Sequence, residues 1–407
     1  MVKRKYTLKK NILYVRLDNN IFYIFLNKHT YYAKYDFNIE DMPDHHIDMM
    51  VYYIMYGFGE NKTAKMKCFT ADFYSNTTLS GETYVDVDIP PFEKEHQVID
   101  DLSFFNDSLY ESNGDKKLIM FSGGYDSVSL KVLIPEAHCV YLYRDYDKQY
   151  GKNQEKVVKQ ANSHVVINNI EKIRIQYTGK HGFNTGNGYA SLMIPYLSKY
   201  GADEILCGPV FDDVAFGYPK DQDLSFGKHH FTSRGLNSIY WTKRAGINVS
   251  YPNAGLSETW TTKLVDNSVY KDSVSSCHVK TNTNFCGECY KCLRKLPMRD
   301  MCMHVKPKAI ISGETHIKTK PLKMACSTTY GIQKLKSDNK YFKLLDSIDV
   351  SFLDRYSRWH TSIFTTPKTL ALIEDRYLKF GIKEMTDDDY INIEKFRIDI
   401  DSITNNF

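Results

Sequence analysis

Two groups of residues in this chain have the types and spacing to do chemistry. The first is Ser122-Gly-Gly-Tyr-Asp-Ser127, set between the apolar run Leu118-Ile-Met-Phe121 and the helix-like Ser127-Val-Ser-Leu-Lys-Val-Leu133. A strand, a glycine turn and a helix start aim backbone N–H groups and the positive helix end at one spot, which suits a pyrophosphate. The two glycines let the backbone approach an anion closely, and Ser122 and Ser127 add hydroxyl donors. Asp126 is out of place as a bare phosphate ligand but makes sense beside Mg²⁺. The Walker pattern G-x-x-x-x-G-K-[ST] is absent, which excludes a kinase-like P-loop.

The second group is Cys277, Cys286, Cys289 and Cys292, two C-x₂-C steps sharing Cys289 and a fourth cysteine upstream. Thiolates so spaced can converge on one tetrahedral ion, and Gly287 relieves the tight knuckle. Structural zinc is the favoured occupant. An iron–sulfur cluster is the rival, but the ferredoxin continuation C-x₃-C-P is missing because Cys292 is followed by Leu-Arg-Lys-Leu. Cys68, Cys139, Cys302 and Cys326 read as small hydrophobes. Cys207, ending a strand near the glycine turn, is a candidate thiol. Asp44, His45, His46 and Asp48 read as a solvated loop, since no further ligands sit at a helpful spacing.

The elements that must position these groups alternate from about 115 to 305. Strand signals fall at 117–121, 138–143, 164–168 and 204–207, and helix signals at 127–133, 152–162 and 188–200. Such alternation predicts an α/β fold with a parallel sheet, helices on both faces and ligands at the carboxyl ends of the strands. Tyr143 and Cys207-Gly208 should share that edge with the glycine turn. Three parts are expected: a β-rich accessory domain at 1–112, the α/β domain with its cysteine site at 113–305, and a mainly helical extension at 306–407. Asn11-Ile-Leu-Tyr-Val-Arg-Leu17 and Ile21-Phe-Tyr-Ile-Phe-Leu26 predict a hairpin, with a third strand over 30–36. The extension starts basic, with Lys306, Lys308, Lys318, Lys320, Lys323, Lys334 and Lys336. That reads as a solvated face, with an acidic partner or RNA as the alternative. Its end, Lys368 to Phe396, has helical periodicity.

Composition narrows the class. With 42% hydrophobic and 25% charged residues the chain reads as folded, and a net charge of +4 is too small to imply nucleic acid by itself. Arg16, Asp18 and Asn19 interrupt any secretory core near the start, and no apolar run of about 18 residues exists to span a membrane. Nine cysteines, four of them clustered, fit a reducing cytoplasm with a metal site.

The hexapeptide Ser-Gly-Gly-x-Asp-Ser resembles the loop of the N-type ATP pyrophosphatases (PP-loop superfamily). Together with Cys-x₈-Cys-Gly-x-Cys-x-x-Cys it resembles 7-cyano-7-deazaguanine synthase, of the queuosine pathway. Cys207-Gly208 followed by Phe216-Gly-Tyr-Pro219 is similar to that family's Thr-Gly…Ser-Gly-Tyr-Pro segment. Glu258-Thr-Trp260 with Lys263-Leu264 resembles its Glu-Thr-Trp-x-Leu-Ala helix, and Tyr251-Pro252 and Gly201-Ala202 fall in matching places. The resemblance covers about 116–300, under half of the chain.

The resemblance implies a Rossmann-like, doubly wound parallel sheet of the adenine nucleotide alpha hydrolase kind. It implies an ATP-dependent ligase that adenylates a carboxylate, 7-carboxy-7-deazaguanine or a related acid, and yields an amide or nitrile. Ser122, Gly123, Gly124, Tyr125, Asp126 and Ser127 would hold the ATP phosphates and Mg²⁺, and Tyr143 would lie near the adenine. Asn187, Asp212, Tyr218 and Asp223 would face the deazapurine-type acid, with Asp126 and Glu258 as candidate catalytic groups. The four cysteines would bind structural zinc. A homodimer is reasonable on the same ground. Extended relatives are associated with antiphage gene islands, where extra domains could recognise a protein or tRNA acceptor.

The chain also departs from the family. Thr185-Gly-Asn187 stands where the family has Gly-Arg-Asn, Lys220-Asp-Gln-Asp223 where it has Asp-Cys-Arg-Asp, Asp212-Asp-Val214 where it has Glu-Thr-Asp, and Leu256 where it has lysine. Three cations around a triphosphate are thereby lost unless Arg144, Arg234, Lys243 or Arg244 replaces them. Two alternatives follow: a tRNA-modifying enzyme of the thiolase type, and a non-catalytic nucleotide-binding protein on the same fold.

Overall fold

Apolar residues on alternate sides of five short strands build the centre of the molecule. The computed structural model describes residues 3–8, 11–26, 29–43, short stretches within 46–54 and 78–86, 115–145, 148–170, 172–173, 189–216, 223–226, 229–232, 248–277, 285–318, 322 and 324–405. The central strands are β5 (Lys117–Phe121), β6 (His138–Arg144), β7 (His164–Asn168), β8 (Glu204–Leu206) and β9 (Asn248–Ser250). Leu118, Val140, Val166, Ile205 and Val249 enter one core cluster, while Ile119, Phe121, Cys139, Tyr141 and Leu206 enter another on the opposite face. Burial on both faces is what a parallel sheet covered by helices requires.

The five strands are parallel, in the order β9-β8-β5-β6-β7. From β5, the chain steps one way to β6 and β7 and the other way to β8 and β9. The carboxyl ends of β5 and β8 therefore flank the point where strand order reverses, where open α/β sheets hold their ligands. Helices α1 (Tyr125–Leu133), α2 (Lys148–Gln160) and α3 (Ile194–Tyr200) follow β5, β6 and β7 in the chain.

The amino-terminal strands β1 (Lys3–Leu8), β2 (Asn11–Asp18), β3 (Ile21–Leu26) and β4 (His29–Lys34) form an antiparallel meander, with the hairpin turn at Asn19. β4 pairs antiparallel with β7, so the meander extends the same sheet, which ends on the two-residue strand Val85–Asp86. Burial alternates along β3, and Phe22, Ile24 and Leu26 join the cluster that holds Leu118.

The remaining described elements are mostly helical: α4 (Glu258–Asp266), α5 (Tyr290–Met298), α6 (Pro307–Ile317), α7 (Ala325–Leu335), α8 (Arg358–Ile363), α9 (Pro367–Lys379) and α10 (Asp387–Asn405). The helical periodicity over Lys368 to Phe396 is carried by two helices, α9 and α10. Gly381, at φ +71°, turns the chain between α9 and α10, and Lys383–Glu384 then pairs with Arg355–Tyr356. No helix among the described residues is long and apolar enough to cross a membrane.

Among the contacts that fasten the last hundred residues to the sheet, two are buried close approaches. The Gly255 and Ser357 backbones touch so closely that a Cβ on Gly255 would lie 2.0 Å from the Ser357 carbonyl oxygen. At the amino ends of β5 and β8, Lys117 and Glu204 form a buried ion pair of 2.5 Å. Glu204 also accepts hydrogen bonds from Ser250, from Thr366 (2.9 Å) and from Thr369 (2.5 Å), and the last two start α9. Buried charges are tolerated when paired and hydrogen-bonded, and the Glu204 carboxylate has both an ion pair and three hydroxyl donors.

Candidate nucleotide pocket and cysteine centre

The glycine turn leaves β5 at the reversal point and is braced from within. Ser122 N–H donates to Ser127 Oγ (3.1 Å), the two serine hydroxyls lie 3.0 Å apart, and Ser127 Oγ donates to the Gly124 carbonyl (3.1 Å). Gly123 takes φ +72°, which strains any residue with a Cβ, and a Cβ there would sit 2.4 Å from Gln154 Oε1. Gly208, just after β8, packs against the same turn, for its Cβ would be 2.8 Å from the Asp126 carbonyl. The Asn253 amide donates to that carbonyl (2.9 Å) and to Ser129 Oγ (3.0 Å). Two strand ends and one turn thus fix the loop before any ligand arrives.

In front of the loop lies a pocket of ≈ 130 Å³. Ser122, Gly124 and Asp126 form one side, and Lys291, Arg294 and Lys295 of α5 another. These three cations lie at helical spacings of three and four, so they share one face. Arg294 Nη1 binds Glu258 (2.6 Å) and donates to Ser327 Oγ on α7 (2.9 Å). Lys295 Nζ reaches Glu258 (3.3 Å) and Asp126 Oδ1 (3.4 Å), and Thr261 donates to the same Asp126 oxygen (3.2 Å). Burial alone would raise the Glu258 carboxyl, but Arg294 and then Lys295 overcome it and bring the group down to about 2. A carboxylate held that low is a poor proton acceptor, so Glu258 serves to hold the two cations.

Lys291 differs from its neighbours. Among the described residues it has no ion pair, although it is half-buried in the pocket wall. Desolvation first, then Lys295 and Arg294, hold its ammonium below the ordinary lysine range. Asp126, 35% exposed at its side chain, keeps Oδ2 unbonded among the described residues. With Asp126, Asp213 and Glu258 facing Lys291, Arg294 and Lys295, the pocket carries balanced charge.

The other expected site residues are placed unevenly. Asp212 is fully buried, and its Oδ1 accepts from the backbone N–H groups of Cys326 (2.9 Å) and Ser327 (3.2 Å) at the start of α7. Burial, then the nearby Glu258, pushes its carboxyl up to about 7. Its neighbour Asp213 lines the pocket instead. Tyr143 is half-buried at the end of β6, where its carbonyl accepts from the Asn168 amide (3.2 Å). Arg144, next to it, donates to the Tyr189 hydroxyl. Cys207 is buried and desolvation pushes its thiol far up, so it is not a thiolate. Cys139 and Cys326 are buried and Cys302 is half-buried. Asp223 begins the short strand Asp223–Phe226. Asn187, Tyr218, Asp44, His45, Asp48, Cys68, Arg234, Lys243 and Arg244 lie outside the described residues.

The cysteines converge. All four Sγ atoms lie within 4.8 Å of one another, with Cys277–Cys289 at 3.8 Å, Cys286–Cys292 at 3.7 Å and Cys289–Cys292 at 3.6 Å. Four thiolates about 2.3 Å from a tetrahedral Zn²⁺ stand about 3.8 Å apart, so the set fits zinc and leaves no open position. Gly287, at φ +72°, makes the knuckle, and Cys289 is the N-cap of α5. The centre therefore fastens the helix that carries Lys291, Arg294 and Lys295.

Three lysines of the basic stretch after it make ion pairs, whereas Lys320 and Lys323 lie outside the described residues. Lys306 and Lys308 both reach Glu288, Lys334 reaches Asp300, and the nearby Lys343 reaches Asp338. This is the arrangement of a solvated face.

Residues 239–397 match the model of a family described as a family of unknown function (DUF6395). The matched span holds Glu258, the four cysteines, α5 and α7, and leaves the Ser122–Ser127 turn outside it. No curated protein and no solved structure matches the chain.

Proposed function

We propose that this chain is an ATP-dependent ligase of the PP-loop type, on a Rossmann-like sheet, that adenylates 7-carboxy-7-deazaguanine or a related acid. The observation that carries the reading is the braced Ser122–Ser127 turn at the strand-order reversal, lining one pocket with Lys291, which makes no direct ion pair among the described residues. Balanced charge in the pocket favours a triphosphate that arrives with a divalent cation. Asp126 Oδ2 would hold Mg²⁺, which when bound supplies charge neutralisation for the phosphates. The loop N–H groups and Ser122 would receive the β- and γ-phosphates, and Lys291 and Lys295 would counter charge as pyrophosphate departs. The acid's carboxylate oxygen attacks the α-phosphorus, the bond to the bridging oxygen breaks, and pyrophosphate leaves. An amine then attacks the acyl carbon, AMP leaves with the bonding pair, and an amide remains. A second activation of that amide would give the nitrile.

The three cations of α5 support a working site in which other residues replace those the family carries, which weighs against a purely non-catalytic nucleotide-binding protein. The test is mass spectrometry of a reaction with the protein, Mg-ATP, 7-carboxy-7-deazaguanine and ammonium. AMP, pyrophosphate and the amide or nitrile are expected, and Asp126→Asn and Ser122→Ala should each abolish them. Untouched ATP, or pyrophosphate release unchanged in both variants, overturns the proposal.

A further inference from the structure

The pocket in front of the glycine turn has a wall of carboxylates, cations and serine hydroxyls, with one exception. Among the described residues that line it, Met324 is the one apolar side chain. Met324 is 3% exposed, much as Glu258 and Lys295 of the same wall are at 2% each, so its contact with the pocket is that of a wall residue. It joins none of the apolar core clusters, although Leu322 before it and Ala325 after it both enter the cluster that holds Phe211. A buried thioether outside the core leaves its apolar surface to the pocket.

The backbone at this position is strained. Met324 takes φ +52° and ψ +54°, the left-handed region, which a residue with a Cβ enters at a cost. Four other described non-glycine residues have positive φ, and each has a local reason. Asn19 closes a hairpin, Asn162 and Asp300 follow α2 and α5, and Lys336 ends α7. Met324 stands at the start of α7 instead, where a capping residue is ordinarily extended and polar, and its side chain makes no cap. Such strain persists only where the surroundings impose it, and it gathers at ligand sites. The Met324 carbonyl accepts from Ser327 Oγ (3.3 Å) and from the Thr328 N–H (2.9 Å), while Asp212 holds the N–H groups of Cys326 and Ser327. The turn is thus fixed with the thioether on the pocket side. Phosphate oxygens gain nothing from a thioether, whereas an aromatic ring does, because the polarisable sulfur makes favourable contacts with it.

We infer that Met324 is a specificity residue that receives a planar heteroaromatic ring next to the phosphate site. The inference rests on the nucleotide reading above. That reading supplies two sources of such a ring, the adenine of ATP and the deazapurine of the acid.

Met324→Asn removes the apolar surface and puts in a residue that tolerates the left-handed backbone. Calorimetry then compares the altered and unaltered chains in their affinity for Mg-tripolyphosphate, Mg-ATP and 7-carboxy-7-deazaguanine. If adenine rests on Met324, ATP affinity falls about tenfold while tripolyphosphate affinity holds. If the deazapurine does, affinity for the acid falls about tenfold and the other two hold. Met324→Leu, apolar and of similar volume, should keep the affected affinity within about threefold of the unaltered chain. An equal fall for tripolyphosphate and ATP, or no fall for either ring-bearing ligand, overturns the inference, because Met324 would then serve only the turn into α7. Should Met324→Asn fail to fold, Met324→Gln sets an amide on an unbranched side chain of the same length and is read in the same way. Failure of the unaltered chain to bind Mg-tripolyphosphate is a different result: it removes the nucleotide reading and this inference with it.

Discussion

At the scale of single residues, the buried carboxyls Glu258 and Asp212 illustrate how environment decides role. Both are fully buried, yet two cations hold Glu258 at about 2 while Asp212, lacking such a partner, rises to about 7. The raised value has a definite sign in stability. Folding favours the protonated form of Asp212, so its contribution is complete below the unfolded value of 3.8 and is lost as pH rises through about 7. Stability should therefore fall between about pH 4 and about pH 7, by up to about 1.4 kcal/mol per pH unit from this group, and the melting temperature with it. Asp212→Asn keeps an oxygen for the Cys326 and Ser327 N–H groups and should flatten that slope. Parallel melting curves for the two proteins across this range would show that Asp212 is not the titrating group.

At the scale of elements, α5 couples the two groups of residues that chemistry picks out in the sequence. Cys289 and Cys292 belong to the metal centre, and Lys291, Arg294 and Lys295 on the same turns belong to the pocket. Removing zinc with a chelator should lower the melting temperature and also abolish Mg-tripolyphosphate binding, with both restored by added zinc. Binding that survives demetallation would disconnect the two. The sequence makes the cysteine set and the glycine turn legible because both depend on local spacing. It also carried a signal for the cations, since positions 291, 294 and 295 fall on one helical face once Cys289 is taken as the helix start. The place of Gln154 in the pocket wall was not legible, because it depends on a hydrogen bond to Ser275, far along the chain. Nor was the division between α9 and α10, where Gly381 interrupts a periodicity that continues on both sides.

At the scale of the whole molecule, the parallel strands, the meander and the carboxyl-terminal helices share their cores. Val15 and Phe364 lie in one cluster with Leu118, and Tyr377 lies in another with Val128. The close backbone approach of Gly255 to Ser357 predicts that Gly255→Ala destabilises the chain by about 3 kcal/mol, measurable by denaturant unfolding. Gly381→Ala is the control: it carries the left-handed strain, at φ +71°, but meets nothing within 4 Å, so about 1 kcal/mol is expected. Equal costs at the two positions would mean that the Gly255 contact yields without effect. The hydroxyls around Glu204 have a consequence in time rather than in space. Thr366 and Thr369 leave the ribosome 162 and 165 residues after the carboxylate they solvate. Until they arrive, the charge pair at the centre of the sheet lacks two of its hydrogen-bond donors. A nascent chain that already contains every central strand must therefore wait for α9 before its middle can close.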